Sequence, residues 1–125
     1  MIKVKLEEAK PYEARGHFKM VALRLQHRET TGVENFWVGL SHFLPGGGAE
    51  MSASDFEKVY VMLSGRMSIV TEDGKEIVLE PLDSIFIPPG EKRYLINKTN
   101  MPASMLVICS YPKKANDICA TSDQK

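Results

Sequence analysis

Four residues of the chain could do chemistry together. Lys58 and Tyr60 stand two positions apart in an alternating stretch, so both lie on one face if that stretch is a strand. Arg93 can donate two parallel hydrogen bonds to a carboxylate or a phosphate, whereas Lys58 offers a point charge. His42 paired with a tyrosine would make an acid–base couple for proton transfer. These residue types point to anion binding or to acid–base catalysis.

The candidate residues fall within a series of short predicted strands. Apolar residues mostly alternate, and clusters of turn residues separate the alternating stretches. We interpret one such cluster, Pro45-Gly-Gly-Gly48, as the end of a strand. The predicted strands are Ile2–Leu6, Phe18–Leu25, Asn35–Leu44, Lys58–Leu63, Met67–Thr71, Glu76–Leu79, Ser84–Ile87, Arg93–Asn97 and Ser104–Tyr111. This series predicts an all-β fold, an antiparallel sandwich or barrel.

The composition excludes several classes of protein. The 125 residues suffice for one domain with a single core. Sixteen Lys and Arg balance sixteen Asp and Glu, which argues against a nucleic-acid partner, because such proteins need a positive surplus. The sequence has no signal-peptide or transmembrane pattern, so no membrane association is expected. The two cysteines suit a reducing compartment, and we expect a cytoplasmic protein.

The turn residues also follow the spacing of a known family. Gly46 is followed after five residues by Ser52-Ala-Ser54, after three more by Lys58 and after six more by Gly65. This spacing resembles the first motif of the cupins, which are RmlC-like double-stranded β-helix (jelly-roll) barrels. In that motif glycine, His-x-His, glutamate and glycine stand at these distances.

A second motif agrees with the first. Leu82 is followed after five residues by Pro88-Pro-Gly90, after two more by Arg93 and after three more by Asn97. The second cupin motif has glycine, Pro-x-Gly, histidine and asparagine at this spacing. The sixteen residues between Gly65 and Leu82 are typical of small microbial cupins. Because several spacings agree at once, the sequence is expected to form a small single-domain cupin.

The resemblance implies a metal site whose ligand positions are replaced. In the family, the two histidines and the glutamate of the first motif and the histidine of the second hold the metal. Here those positions are Ser52, Ser54, Lys58 and Arg93. Two cations would repel a divalent metal ion, so we expect no metal and no other cofactor. An atypical metal site is the alternative if a bulge turns Glu57 inward in place of Lys58.

If the strand faces follow the family, Lys58 and Arg93 point into the barrel. Two buried cations are costly unless something negative joins them. The favoured hypothesis is therefore a site for a small anionic metabolite of carboxylate type. Ser52 and Ser54 would add hydroxyl donors, and Asn97 shares the face of Arg93. In a structural alternative, carboxylates of the chain itself pair with the cations and fill the barrel.

A different hypothesis makes the protein a metal-independent isomerase, lyase or decarboxylase. The metal-free sugar epimerases of the cupin superfamily transfer protons with a histidine and a tyrosine, roles that His42 and Tyr60 would take here. Lys58 could instead serve as an amine base or Schiff-base former. A plainer interpretation places His42 in a hydrogen bond on an apolar wall. His17 and His27 stand among charged neighbours and are expected at the surface.

The same resemblance suggests the domain organisation. Residues 1–112 would form the barrel domain, with its core in 36–111, and residues 113–125 a polar C-terminal tail. The strand that begins at Lys58 would present apolar residues outward: Val59, Val61 and Leu63. Such a face needs cover, which the N-terminal strands or a second subunit would provide. Small cupins are commonly dimers, so we expect a homodimer with exchanged or packed edge strands.

Overall fold

The computed structural model describes residues 1–112, which form nine strands, one short α-helix and one turn of 3₁₀ helix. The predicted tail lies outside the described residues. The strands are β1 (Lys10–Tyr12), β2 (His17–Gln26), β3 (Phe36–Ser52), β4 (Lys58–Ser64), β5 (Met67–Thr71), β6 (Glu76–Leu79), β7 (Ser84–Ile87), β8 (Arg93–Ile96) and β9 (Ala103–Ser110). The α-helix α1 is Arg28–Thr31, and the 3₁₀ turn is Leu6–Glu8.

The strands pair into two antiparallel sheets that share β3. The larger sheet has the order β1-β2-β3-β9-β4-β7, and the smaller sheet has the order β6-β5-β8-β3. The first part of β3, Phe36–Phe43, pairs with β9, and its last part, Gly48–Ser52, pairs with β8. The result is a nearly closed antiparallel barrel, and the predicted all-β fold is confirmed.

The path of β3 corrects one prediction. The strand does not end at Leu44 but continues through Pro45 and the three glycines to Ser52. The glycines are required because the chain changes partners here. A Cβ on Gly47 would lie 2.2 Å from the carbonyl oxygen of Lys19, and one on Gly48 would lie 2.0 Å from that of Leu95. The cluster therefore bends a strand between two sheets instead of terminating it.

The N-terminal prediction was also wrong. Residues 2–6 do not form a strand, and the first strand is Lys10–Tyr12, which contains Pro11. Proline is tolerated there because β1 lies at the edge of the larger sheet and pairs only with β2, so one side of the strand needs no backbone donor. Helix α1, which was not predicted, is a single turn between His27 and Gly32.

The remaining strands lie where the alternation places them, with bounds shifted by at most one residue. Their inward residues form one core, in which Phe43, Met62, Met67, Ile69 and Met105 are almost completely buried. Among residues 1–112, no helix is long and apolar enough to cross a bilayer.

Candidate functional site

A narrow cavity lies inside the barrel, against the inner face of the larger sheet. Its volume is about 20 Å³, which is room for about one or two water molecules. Six strands supply the described side chains around it: Tyr12, His17, Trp37, Ser41, Phe43, Lys58, Tyr60, Leu95, Met105 and Val107. The wall is therefore mainly aromatic and aliphatic, with a few polar groups that converge on a small space.

Strand β4 places Lys58 and Tyr60 side by side in this wall. Lys58 is 5% exposed and Tyr60 is 4% exposed, and both line the cavity. The neighbouring Glu57 is exposed, and its backbone N–H donates to the hydroxyl of Ser110. No bulge turns Glu57 inward, so Lys58 is the residue that points into the barrel.

Arg93 is buried behind Tyr60 and does not line the cavity. Its Nη2 donates to the Tyr60 hydroxyl at 2.9 Å, and its Nη1 donates to the carbonyl oxygen of Ser52 at 3.0 Å. Its Nε has no hydrogen-bond partner within the described part of the chain, and neither salt bridge found there involves Arg93. Arg93 therefore does not reach the cavity directly, contrary to the sequence prediction, but contacts Tyr60, which lines it.

The hydrogen bond from Arg93 determines where the Tyr60 hydroxyl can donate its own proton. A guanidinium can only donate, so the phenolic oxygen accepts this bond and its own proton points elsewhere. Because Tyr60 also lines the cavity, that proton is available as a donor to a ligand.

Three predicted ligand-binding residues serve the fold instead. Ser52 is exposed and offers Arg93 its backbone carbonyl, not its hydroxyl. The Ser54 hydroxyl accepts the backbone N–H of Phe56, in a local turn. Asn97 is 1% exposed and uses its whole amide to hold backbone and side-chain groups of Phe43, Thr99 and Met101. None of the three side chains lines the cavity.

The predicted pair of His42 and Tyr60 is not formed. Ser41 and Phe43 point into the cavity, so His42 between them lies on the outer face of β3. There its Nδ1 is 2.7 Å from the hydroxyl of Ser104, on the neighbouring β9. The plainer interpretation of His42 as a hydrogen-bonded residue matches this geometry.

The cavity instead contains a histidine that the sequence did not indicate. His17 begins β2 and lines the cavity with Lys58 and Tyr60. Its Nδ1 lies 2.9 Å from the carbonyl oxygen of Arg15. A carbonyl can only accept, so Nδ1 carries the proton, and in the neutral ring Nε2 is then an acceptor. The other histidine expected at the surface, His27, is 6% exposed and also buried.

The residues of the cavity do not fit a divalent metal ion. Its described lining offers one imidazole, and no carboxylate or thiolate, beside the ammonium group of Lys58. Among residues 1–112, no three His, Cys, Asp or Glu side chains stand close enough to hold a metal.

Sequence comparison identifies the family to which this barrel belongs. Residues 39–109 match the family described as the Cupin domain. The chain belongs to the cupin family. The match begins on β3 and ends on β9, so it includes both Lys58 and Arg93.

Proteins similar to this chain in sequence or in fold have names that refer to several different activities. A protein of Mycobacterium tuberculosis named beta-D-galactosidase Rv1717 is 44% identical over 105 residues, which cover 84% of this chain and 90% of that protein. The polyketide cyclase RemF of Streptomyces resistomycificus has a TM-score of 0.79 at 21% identity, over 88% of this chain and 79% of its own. A sugar phosphate isomerase of Silicibacter pomeroyi has a TM-score of 0.74 at 22% identity, over 89% of this chain and 76% of its own. Each of these two structures is similar to this chain in fold.

Proposed function

We propose that this cupin binds a small anionic metabolite of carboxylate type inside the barrel, without a metal ion. The observation that carries the proposal is the burial of two cations, Lys58 and Arg93, beside the same tyrosine. Arg93 has only neutral hydrogen-bond partners within residues 1–112. Positive charge in a low-dielectric interior attracts a negative partner strongly. An anionic ligand would provide that partner.

The polar groups of the cavity suggest how such a ligand is held. Lys58 supplies a point charge to the ligand. The Tyr60 hydroxyl donates a hydrogen bond to it, because its oxygen accepts from Arg93 and its proton therefore points away from Arg93. The hydroxyl of Ser41, in the same wall, takes the place that the sequence suggested for Ser52 and Ser54. Arg93 acts on the ligand through its charge and through Tyr60.

The size of the cavity favours a small ligand. A molecule larger than one or two waters must move side chains of the wall when it enters. Met105 is suited to such movement, because an unbranched thioether adapts to different shapes. A two- to four-carbon carboxylate needs less movement than a sugar ring does.

A thermal-shift titration with acetate, glyoxylate, oxalate and inorganic phosphate tests the proposal. At one hundred times its Kd a ligand adds about 2.7 kcal/mol of stability, which raises Tm by on the order of 10 °C in a domain of this size. We expect one of the carboxylates to raise Tm in a concentration-dependent way. Lys58→Met should abolish that rise.

The matched control is Lys75→Met, which removes an exposed lysine from the turn after β5 and should leave the carboxylate-induced rise intact. A Lys58→Met variant that responds like the parent protein would refute the role of Lys58. Elemental mass spectrometry of the untagged protein tests the other half of the proposal. Near-stoichiometric metal would overturn the metal-free site.

A second candidate function is acid–base catalysis on a sugar, favoured by the relative named beta-D-galactosidase. His17 as base and Tyr60 as acid would face the same substrate, and Tyr12 and Trp37 offer aromatic surfaces beside them. His17 takes the role that the sequence suggested for His42. Glycosidases ordinarily use two carboxylates, and none of the described residues around this cavity supplies one.

Hydrolysis of 4-nitrophenyl β-D-galactoside tests this second candidate. If the cavity catalyses hydrolysis, Tyr60→Phe and His17→Asn should each lower kcat/KM by about 10²- to 10⁴-fold, the usual contribution of a positioned acid or base. The matched control, His42→Asn, should retain full activity, because His42 lies outside the cavity. Absence of turnover by the parent protein, or turnover that survives both changes, would exclude the candidate.

We also propose that the protein works in the cytoplasm, in line with its low cysteine content. Fractionation of cells that produce the tagged protein would test this.

A further inference from the structure

The described wall of the cavity meets solvent in one place. Eight of its ten side chains are buried, and only Tyr12 and His17 are partly exposed. These two residues flank the turn of residues 13–16, which joins β1 to β2. The hairpin of β1 and β2 is therefore the part of the described wall that faces solvent.

Strand β1 is held more weakly than the other strands that supply the wall. It has three residues, and within the described part of the chain it pairs only with β2. One of the three is Pro11, which has no backbone N–H to donate. The segment before β1 packs little, since Ile2 is 61% exposed and Leu6 is 58% exposed. A short edge strand with few buried contacts opens locally at a lower free energy than a central strand does.

The ring of Tyr12 closes the exposed side of the cavity in a defined position. It meets the Trp37 ring edge to face, with 6.3 Å between the ring centroids. The guanidinium carbon of Arg24 lies 4.6 Å from the centroid of the Tyr12 ring. Gly39 leaves space beside both aromatic residues, because a Cβ there would lie 3.1 Å from Trp37 and 3.5 Å from the Tyr12 hydroxyl oxygen. The ring is thus held by side-chain contacts that can open together with β1.

We propose that Tyr12 is the gate of the cavity and sets the size of ligand that it accepts. The ligand enters when β1 moves away from β2, and the ring then closes over it. This inference rests on the proposed carboxylate site, because a ligand larger than one or two waters requires the wall to move. Arg24 places a positive charge beside the gate, where it attracts an anion. With the ring in place, the cavity takes small carboxylates and excludes aromatic ones.

A disulfide between β1 and β2 tests the gate. Pro11 and Leu23 stand directly opposite each other in the ladder, at a separation that suits a disulfide. Tyr12 points into the cavity, so Pro11 points away from it, and the bridge leaves the wall unchanged. The clamped protein has Pro11→Cys and Leu23→Cys, with Cys119→Ser to prevent wrong pairing. The matched control has Pro11→Ser and Leu23→Ser in the same background.

Reductive methylation of Lys58 by formaldehyde and dimethylamine–borane measures opening. Lys58 is 5% exposed and lines the cavity, so its methylation requires the reagent to enter, whereas the exposed Lys75 is an internal reference. Peptide mass spectrometry should show that the clamp slows methylation of Lys58 at least tenfold relative to the serine control, with no change at Lys75. Tyr12→Ala, added to the clamped protein, should restore the rate because the ring itself is the obstruction.

Equal Lys58 rates in the clamped and serine proteins, or a Lys58 that stays unmethylated in the serine control, would overturn the gate. The reagent is not the ligand. Failure of the gate in this experiment is therefore distinct from failure of a carboxylate to bind in the thermal-shift titration, which would refute the proposed function.

A thermal-shift titration with benzoate and acetate tests the limit on ligand size. Tyr12→Ala should bind benzoate with an apparent Kd at least tenfold below that of the parent protein, because the space of the ring becomes available. The matched control is Tyr94→Ala, which removes the same ring from the outer face of β8 and should respond like the parent. Identical responses to benzoate in the parent protein and in Tyr12→Ala would overturn the role of Tyr12 in selecting the ligand.

Discussion

The two faces of β4 reverse the usual polarity of a barrel strand. Its inner face has Lys58, Tyr60 and Met62, so a charge and a hydroxyl lie inside the barrel. Its outer face has Val59, Val61 and Leu63. Inner and outer residues alternate along the strand, so chain neighbours have completely different surroundings.

The difference fits the proposed ligand site inside the barrel and the second subunit predicted from the sequence outside it. A barrel that needed only stability would bury aliphatic residues and expose charged ones. Buried cations suit an anionic ligand, and partly exposed aliphatic residues suit the second copy of the chain that the sequence predicts. The same alternation thus separates the proposed ligand site from the outer aliphatic residues by the thickness of one strand.

The largest effect is expected from truncating the inner apolar residue of β4. Met62 is 0% exposed, so Met62→Ala should cost about 2–5 kcal/mol through lost burial and a cavity. Leu63→Ala, one residue further and 41% exposed, should cost less than about 1 kcal/mol. Urea unfolding at equal protein concentration measures both. Similar losses in the two variants would break the contrast between the faces.

A smaller effect is expected from removing the hydroxyl that Arg93 contacts. Tyr60→Phe leaves Nη2 of a buried guanidinium without its partner, which should lower the free energy of unfolding by about 1–3 kcal/mol. Tyr94→Phe, on the outer face of β8, is the control, because no hydrogen bond of its hydroxyl is found within residues 1–112. Equal stability of both variants would show that the contact between Arg93 and Tyr60 contributes little.

The smallest effect concerns the outer face of the smaller sheet, which has charged side chains where the outer face of β4 has aliphatic ones. The hydroxyl of Ser68 and then the ammonium of Lys98, 3.0 Å away, lower the pKa of the exposed Glu76 from its usual value of 4.5. A lowered folded pKa stabilises the protein above the ordinary value, and this contribution disappears as pH falls through the folded pKa.

Glu76→Gln should therefore flatten the loss of stability between about pH 5 and pH 3. Urea unfolding across that range measures the slope. Identical slopes in the parent and variant proteins would show that this carboxylate does not affect stability.

Much of the fold could be predicted because its signals are local. Strands β4 to β9 follow from alternation and from turn residues within a few positions. The fixed spacings around Gly65 and Gly90 led to the cupin family, which the comparison confirmed. The bend in β3 was missed, because glycine next to proline looks the same at a corner and at an end. Only the change of partner from β9 to β8 distinguishes them.

The candidate site was harder to predict. Lys58 and Tyr60 were placed correctly, since they share a face of one strand. His42 was placed wrongly, because both faces of β3 are mostly apolar and the sequence does not fix which one points inward. His17 was missed, since it enters the cavity from a distant strand and has no motif around it.

The sequence by itself determined strands β4 to β9 and the family, because these depend on neighbours in the chain, and the resemblance to the family implied that Lys58 points inward. Only the tertiary structure decided that Arg93 contacts Tyr60, that Asn97 holds a turn and that His17 lines the cavity. Those arrangements depend on which strands become neighbours after the chain closes into a barrel. Local alternation sets the two faces of each strand, but long-range pairing decides what each face meets.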